Sequence, residues 1–245
     1  MPESPESRIA VLQAEVAAVR AEMQDFTATV SHDLRAPLRH IVSYVQLVQE
    51  DAGPQLNAEV QDFLATISSS ARHMGALLDG LTTLSRAGLV PLEMGPVSLQ
   101  ELVQMVRTEL MAQCPQRLVE WRITGDLLTV QADATLLRQV LVQVLGNAVK
   151  FTAPRASALI EISTVQGSTA DHVALQVRDN GVGYNPALQA QLFRVFGRLH
   201  SAKQFEGIGM GLVLSRKILA RMGGSVSAEG VVDAGCRVEL QLRRA

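Results

Sequence analysis

Residues 28–41 read ATVSHDLRAPLRHI, a helical pattern with a titratable pair, His32–Asp33, at its centre and a proline, Pro37, a turn and a half past the histidine. Upstream, Ile9, Leu12, Val16, Val19, Met23, Phe26 and Val30 recur at alternating steps of three and four. That spacing is the heptad seam of a coiled coil. Its polar flanks (Gln13, Glu15, Arg20, Glu22) keep the seam narrow, which favours pairing with a second copy over one amphipathic helix lying on a core. Downstream come Leu34, Leu38, Ile41, Val45 and Val48, but the steps from 30 to 34 and from 34 to 38 are both four. This stutter unwinds the supercoil locally, falls on the His–Asp pair and leaves His32 off the seam. Pro37 withdraws one backbone bond from the same stretch and predicts a bend just beyond it. The turn EDAGPQLN (50–57) then leads into a second helix bearing Leu56, Val60, Phe63, Ile67, Ala71, Met74, Leu78 and Leu81. Two antiparallel helices enclose little core, whereas two copies make a four-helix bundle.

Composition narrows the remaining possibilities. A chain of 245 residues with 47% apolar and 19% charged residues has material for a real core, in one large domain or two modest ones. A net charge of -2 and only 4% aromatic residues argue against a nucleic-acid partner. The cysteines, Cys114 and Cys236, have no CxxC or histidine-cluster partner, so a reduced, cytoplasmic protein without a structural metal is expected. No apolar run approaches the length of a membrane span, and the N-terminus lacks a signal core.

Ala87–Pro96, with two glycines and two prolines, reads as a linker, and the second half changes character. Ser98–Glu101 (SLQE) is a capping-box signature that starts a helix through about Met111. Strands are predicted at Val119–Thr124 and Leu128–Gln131, and Asp133 caps an apolar helix through Lys150. Further strands follow near Ala158–Val165 and His172–Val177. A helix is predicted after Asn185–Pro186 and another over Gly209–Met222, before closing strands at Ser225–Glu229 and Cys236–Leu242. The pattern suggests an α/β sandwich with helices on one face.

Three segments carry chemistry. In LLRQVLVQVLGNAVKFT (136–152), Asn147 and Lys150 share a helix face. A neutral oxygen ligand beside a cation suits a Mg2+–triphosphate, although a helix C-terminus with a solvated lysine looks the same. In VRDNGVGY (177–184), Asp179 can accept from the amino group of adenine, while Gly181 and Gly183 let backbone approach a flat base; an ordinary Asn-Gly turn is the plainer reading. In GIGMGL (207–212), Gly207, Gly209 and Gly211 expose backbone N–H groups where a helix begins, ahead of Leu212. The spacing is neither GxGxxG nor a Walker loop.

The order of these segments, with SHDLRAPL upstream, resembles the sensor histidine kinases of two-component systems over nearly the whole chain from Asp25. LFRVFGRL (192–199) resembles their F box, and the wording of the lid is similar to phytochrome-type and related soluble kinases. The resemblance implies a helical-hairpin dimerisation domain, a four-helix bundle as a homodimer, followed by an α/β sandwich ATP-binding domain of the type shared with gyrase and the heat-shock chaperone ATPases. The divisions it implies are a coiled-coil signalling helix over 1–24, a dimerisation and phosphotransfer domain over 25–88, a linker over 89–96 and a catalytic ATP-binding domain over 97–245.

By the same resemblance His32 is the phosphoacceptor and Asp33 accepts the hydrogen bond of its protonated nitrogen. Asp179, Gly181 and Gly183 hold adenine, Asn147 holds Mg2+, and Lys150, Arg198, Gly207, Gly209, Gly211 and Leu212 surround the phosphates under a lid between about Asn185 and Gly211. His200 and Lys203 in that lid could also face phosphates, or simply be solvated. A departure from the family is Gln143, where a second asparagine is frequent. The implied activity is that of an ATP-dependent protein-histidine kinase that passes its phosphoryl group to an aspartate of a response-regulator receiver domain. An ATP-binding dimeric scaffold without phosphotransfer, or a plain ATPase of the same fold, would carry the same boxes. No sensor is legible before Ile9, so the input is expected from an upstream sensor domain or an associated sensor protein.

Overall fold

The computed structural model describes residues 5–201 and 204–245, excepting the side chains of residues 5–7, 10, 13, 17 and 20. The chain divides into two units, one ending at Arg86 and the other starting at Ala87.

The first unit is a helical hairpin. Helix α1 runs unbroken over Pro5–Ala52 with Pro37 inside it, and α2 spans Ala58–Arg86. The turn between them is fixed by side chains: Asn57 Oδ1 caps α2 at Val60 N (2.9 Å), and Gln61 Nε2 donates back to the carbonyls of Gly53 and Leu56. Across the hairpin, Arg35 donates through Nε and Nη2 to Asp79 Oδ1 at 3.0 and 2.9 Å. Val45 and Ala71 are buried. Phe26, Leu34, Ile41 and Val48 on α1, with Phe63, Ile67 and Met74 on α2, remain exposed.

The second unit is a seven-stranded sheet carrying three helices. Its strands are β1 (Gly95–Ser98), β2 (Val119–Thr124), β3 (Thr129–Ala132), β4 (Ala158–Gln166), β5 (His172–Asp179), β6 (Ser225–Val231) and β7 (Gly235–Arg244). The order is β1-β3-β7-β5-β4-β2, with β6 also on β7; every pairing is antiparallel except β2 with β4. Alternation places Ile160, Ile162, Leu175, Val177, Leu240 and Leu242 on the buried face. The opposite face is polar, with Gln176 bonded to Glu239 and Arg237 to Glu229. Helices α3 (Leu99–Gln113), α4 (Ala134–Phe151) and α5 (Gly211–Arg221) supply the rest of the core, chiefly Val103, Leu137, Leu141, Leu145, Ile218 and Leu219. Each such side chain contributes about 1.5–3 kcal/mol of burial free energy.

Two caps act as the sequence predicts: Ser98 Oγ accepts from Glu101 N, and Asp133 Oδ1 accepts from Leu136 N. Three elements differ. Gly95 and Pro96, the end of the expected linker, open a strand over Gly95–Ser98 that pairs with β3. The helix expected after Asn185 is a 3-10 turn, Pro186–Gln191, continued by i to i+3 bonds as far as Gly197. Helix α5 starts at Gly211 rather than Gly209, whose φ of 73° is not helical. The segment before β1 is also tied to this unit. Arg221, in the last turn of α5, donates to the carbonyls of Ala87 and Val90, and Glu93 N donates to Asp133 Oδ2 at 3.0 Å.

Asp133 thus satisfies one N–H of α4 with one oxygen and one of the preceding segment with the other. Asp133→Ala is expected to lower the unfolding free energy of the second unit by about 2–3 kcal/mol, the sum of a lost cap and an unpaired N–H. Urea unfolding followed by circular dichroism measures it; a change below about 0.5 kcal/mol would show that water replaces both bonds.

Candidate functional site

The histidine predicted as phosphoacceptor stands on the exposed side of α1, its side chain 83% accessible. Its Nδ1 lies 3.1 Å from Asp33 Oδ1. A proton on Nδ1 can donate to that carboxylate, and in that tautomer Nε2 carries the ring's lone pair. One turn further along the same helix, the Arg35–Asp79 pair fastens the hairpin beside it.

In the second unit the candidate residues converge from the end of β5, the C-terminal half of α4 and the N-terminus of α5. Asp179 closes β5 and is only 6% exposed. Register places it opposite Ile160 on β4 and Cys236 on β7. Gly181 N and Cys236 N donate to its Oδ1 at 2.8 and 3.3 Å. Burial pushes its pKa up to about 6 in spite of those two bonds, and the half-buried Cys236 thiol beside it is pushed up to about 12 by desolvation and by the Asp179 charge. Among the described residues both bonds to the carboxylate fall on Oδ1, which leaves Oδ2 as an acceptor.

The loop after Asp179 hugs its neighbours. Val182 N donates to Phe151 O at 3.2 Å, so the loop lies along the end of α4. Gly183 has φ 59°, and a Cβ there would sit 1.8 Å from Val231 O, a place only glycine can take. On α4, Asn147, Gln143 and Lys150 are half-buried. Gln143 abuts the start of α5: a Cβ on Gly211 would lie 2.5 Å from its Oε1. Lys150 reaches Gly207, whose Cβ would meet Nζ at 3.4 Å, and sits over the Phe151 ring at 4.5 Å. Burial, and then the nearby charge of Arg198, lower the Lys150 pKa. Gly209 packs against the Gly197 carbonyl, and half-buried Leu212 lies in the first turn of α5. No side-chain hydrogen bond caps α5 at Met210, which leaves its first N–H groups without a side-chain partner there.

The lid side chains are engaged with backbone. Arg198 donates to Gly207 O at 2.6 Å and Phe205 O at 2.7 Å. His200 Nε2 lies 2.9 Å from Gly183 O, and its ring packs with Phe151 and Phe205 at centroid distances of 5.4 and 5.2 Å. Lys203 lies outside the described residues. Sequence reasoning passed over three contributors. Phe151 offers both its carbonyl and its ring. Asn180 staples the loop to β4 through Leu159 N (2.9 Å) and Ser157 O (2.8 Å). Arg155 donates to the carbonyls of Asn180, Gly181 and Asp233. No local spacing announces such contacts to backbone distant in sequence.

A buried acceptor with glycines beside it, a half-buried lysine near Gly207 and an uncapped helix N-terminus suit a purine triphosphate. Comparison with known proteins agrees. Residues 22–89 match the His Kinase A (phospho-acceptor) domain, and residues 132–245 match the histidine kinase-, DNA gyrase B-, and HSP90-like ATPase domain. Cyanobacterial phytochrome B of Nostoc is 32% identical over 93% of this chain and 30% of its own length. The circadian input-output histidine kinase CikA of Synechococcus elongatus is 29% identical over 89% of this chain and 29% of its own. The chain therefore spans about three tenths of the curated relatives it matches. Full-length ShkA in complex with AMPPNP superposes with a TM-score of 0.62 at 27% identity, covering 90% of this chain and 46% of that one. With an exposed histidine on a helical hairpin and a nucleotide-type site on a helix-covered sheet, each matched to its own domain model, the chain belongs to the sensor histidine kinases.

Proposed function

We propose that this chain is an ATP-dependent protein-histidine kinase that phosphorylates His32 and passes the phosphoryl group to an aspartate of a response-regulator receiver domain. The observation that carries the reading is the His32–Asp33 contact on an exposed helix face. Nε2 supplies the electron pair that forms the bond to the γ-phosphorus as the bond to the β,γ-bridging oxygen breaks and ADP departs. The ring then carries positive charge, which the Asp33 carboxylate beside Nδ1–H stabilises.

In this reading Asp179 Oδ2 accepts from the adenine amino group, with Gly181 and Gly183 beside the base. Lys150, Gly207, Gly209, Gly211 and Leu212 surround the phosphates, and Arg198 braces the lid next to Lys150. Among the described residues no cluster of three His, Cys, Asp or Glu offers a metal cage. A hard cation arriving with a triphosphate needs only a neutral oxygen from the protein. Asn147 fits that role, with Gln143 close by. Mg2+ held there would neutralise phosphate charge during transfer.

The exposed apolar positions of α1 and α2 support a homodimer packed as a four-helix bundle. Residues 25–88 then form the dimerisation and phosphotransfer domain and 97–245 the catalytic domain; the intervening 89–96 reaches into β1 and is bound to the catalytic side through Val90 and Glu93. The preceding segment, 1–24, is the signalling coiled coil of this reading and takes its signal from a sensor domain or partner protein. No helix among the described residues is long and apolar enough to cross a membrane.

His32→Gln is expected to abolish acid-labile, alkali-stable labelling from γ-labelled ATP while ATP affinity stays within twofold; label on that variant would sink the assignment. Asp33→Asn should slow labelling at least tenfold with little change in ATP affinity. Phosphate released without labelled protein would instead identify a plain ATPase.

Asp179 generates a second prediction. Its folded pKa, about 6, lies above the unfolded value of 3.8, so the folded state holds a proton that the unfolded chain releases across that window. Stability contributed by the neutral group is present below about pH 4 and is lost as pH rises through 6. Asp179→Asn should therefore stabilise the fold at pH 7.5 by about 2–3 kcal/mol while weakening ATP binding by about 1–3 kcal/mol. Thermal unfolding and titration calorimetry read the two effects; unchanged ATP affinity would remove adenine from this carboxylate.

A further inference from the structure

Arg155 lies in the turn after α4, outside every motif discussed above. Its side chain is 30% accessible. Nε donates to Asn180 O at 2.9 Å, and Nη2 donates to Gly181 O at 2.9 Å and to Asp233 O at 2.7 Å. The two segments it joins are those that carry the donors to Asp179. Gly181 supplies one N–H, and Cys236, three residues after Asp233, supplies the other. A third tie, Asp233 N to Val182 O at 2.8 Å, runs between the same two segments. Three carbonyls that converge repel one another unless a cation sits among them. A planar guanidinium meets them in a fixed fork, which an ammonium cannot reproduce.

Resting on the assignment of adenine to Asp179, we infer that Arg155 is a positioning residue for base specificity. It holds the two N–H groups that aim the Asp179 carboxylate, and so sets how strongly the site distinguishes a 6-amino from a 6-oxo purine. A site built to pair with a substrate N–H rejects the analogue lacking it only while its acceptor is held in place. Glycine at 181 fits the same purpose, because a Cβ there would lie 2.7 Å from Asp179 Oδ1.

The test compares ATP with inosine triphosphate, which has an oxygen where adenine has the amino group, on the full chain by titration calorimetry. The unaltered protein is expected to prefer ATP by about 100-fold or more. Arg155→Lys should weaken ATP about tenfold and leave the inosine nucleotide within twofold, narrowing the preference accordingly. A generally loosened site would weaken both nucleotides alike, since the phosphate contacts are shared. Parallel losses, or an unchanged ratio, overturn the inference. Equal binding of the two nucleotides by the unaltered protein overturns the adenine assignment and the inference with it. A second measurement needs no variant: amide exchange at Gly181 and Cys236 should slow with ATP far more than with inosine triphosphate, and equal slowing rejects the proposal.

Discussion

A carboxylate taken out of water governs the design of the second unit. Left unpaired, a buried Asp179 would simply stay protonated and lose its value as an acceptor. The two N–H groups that oppose this come from different strands' ends, so the sheet register must be right before the site exists. Pairing Asp179 with Cys236 also decides which face the side chain takes. A slip of one residue would turn it to the polar side, where Arg178 and Arg237 now point. Core packing through Val177, Val238, Leu175 and Leu240 forbids that slip. The hydrophobic pattern and the polar site are thus one constraint seen from two sides.

The first unit answers an opposite demand. His32, the proposed phosphoacceptor, is solvent-facing, as a group that gives its electron pair to an incoming phosphorus must be, and Asp33 stays exposed with it. The rigidity that burial would give is supplied instead by the hairpin, through Arg35 on Asp79 and Gln61 on the turn carbonyls. Exposed ion pairs of this kind are individually weak. The exposed apolar rows of α1 and α2 are therefore the larger store of stabilisation, available when they are covered.

Much of this was legible in the sequence where the signal is local. The caps at Ser98 and Asp133 follow from residue type and spacing, and β2 matches its predicted range because its alternation is clean. The strand Gly95–Ser98 was hidden because its glycine and proline read as the end of a linker, while its pairing with β3 is a tertiary fact. The 3-10 turn after Asn185 begins with the same Asn-Pro signal as a helix; what ends it is the chain of turns reaching Gly197. In the site, the glycine boxes and Asp179 could be read, whereas the roles of Arg155 and Asn180 could not. Each of these acts on a backbone group brought to it only by folding.

Proline inside α1 has one further consequence. A helical residue bonds its N–H to the carbonyl four positions earlier, and Pro37 has no N–H to give. The carbonyl so released is that of Asp33, the residue whose side chain meets the His32 ring. The ladder of α1 therefore lacks a rung directly under the His32–Asp33 pair. Shifting the backbone there breaks one hydrogen bond fewer than it would in an uninterrupted turn, so the angle between carboxylate and imidazole is set at a mechanically soft point of an otherwise continuous rod.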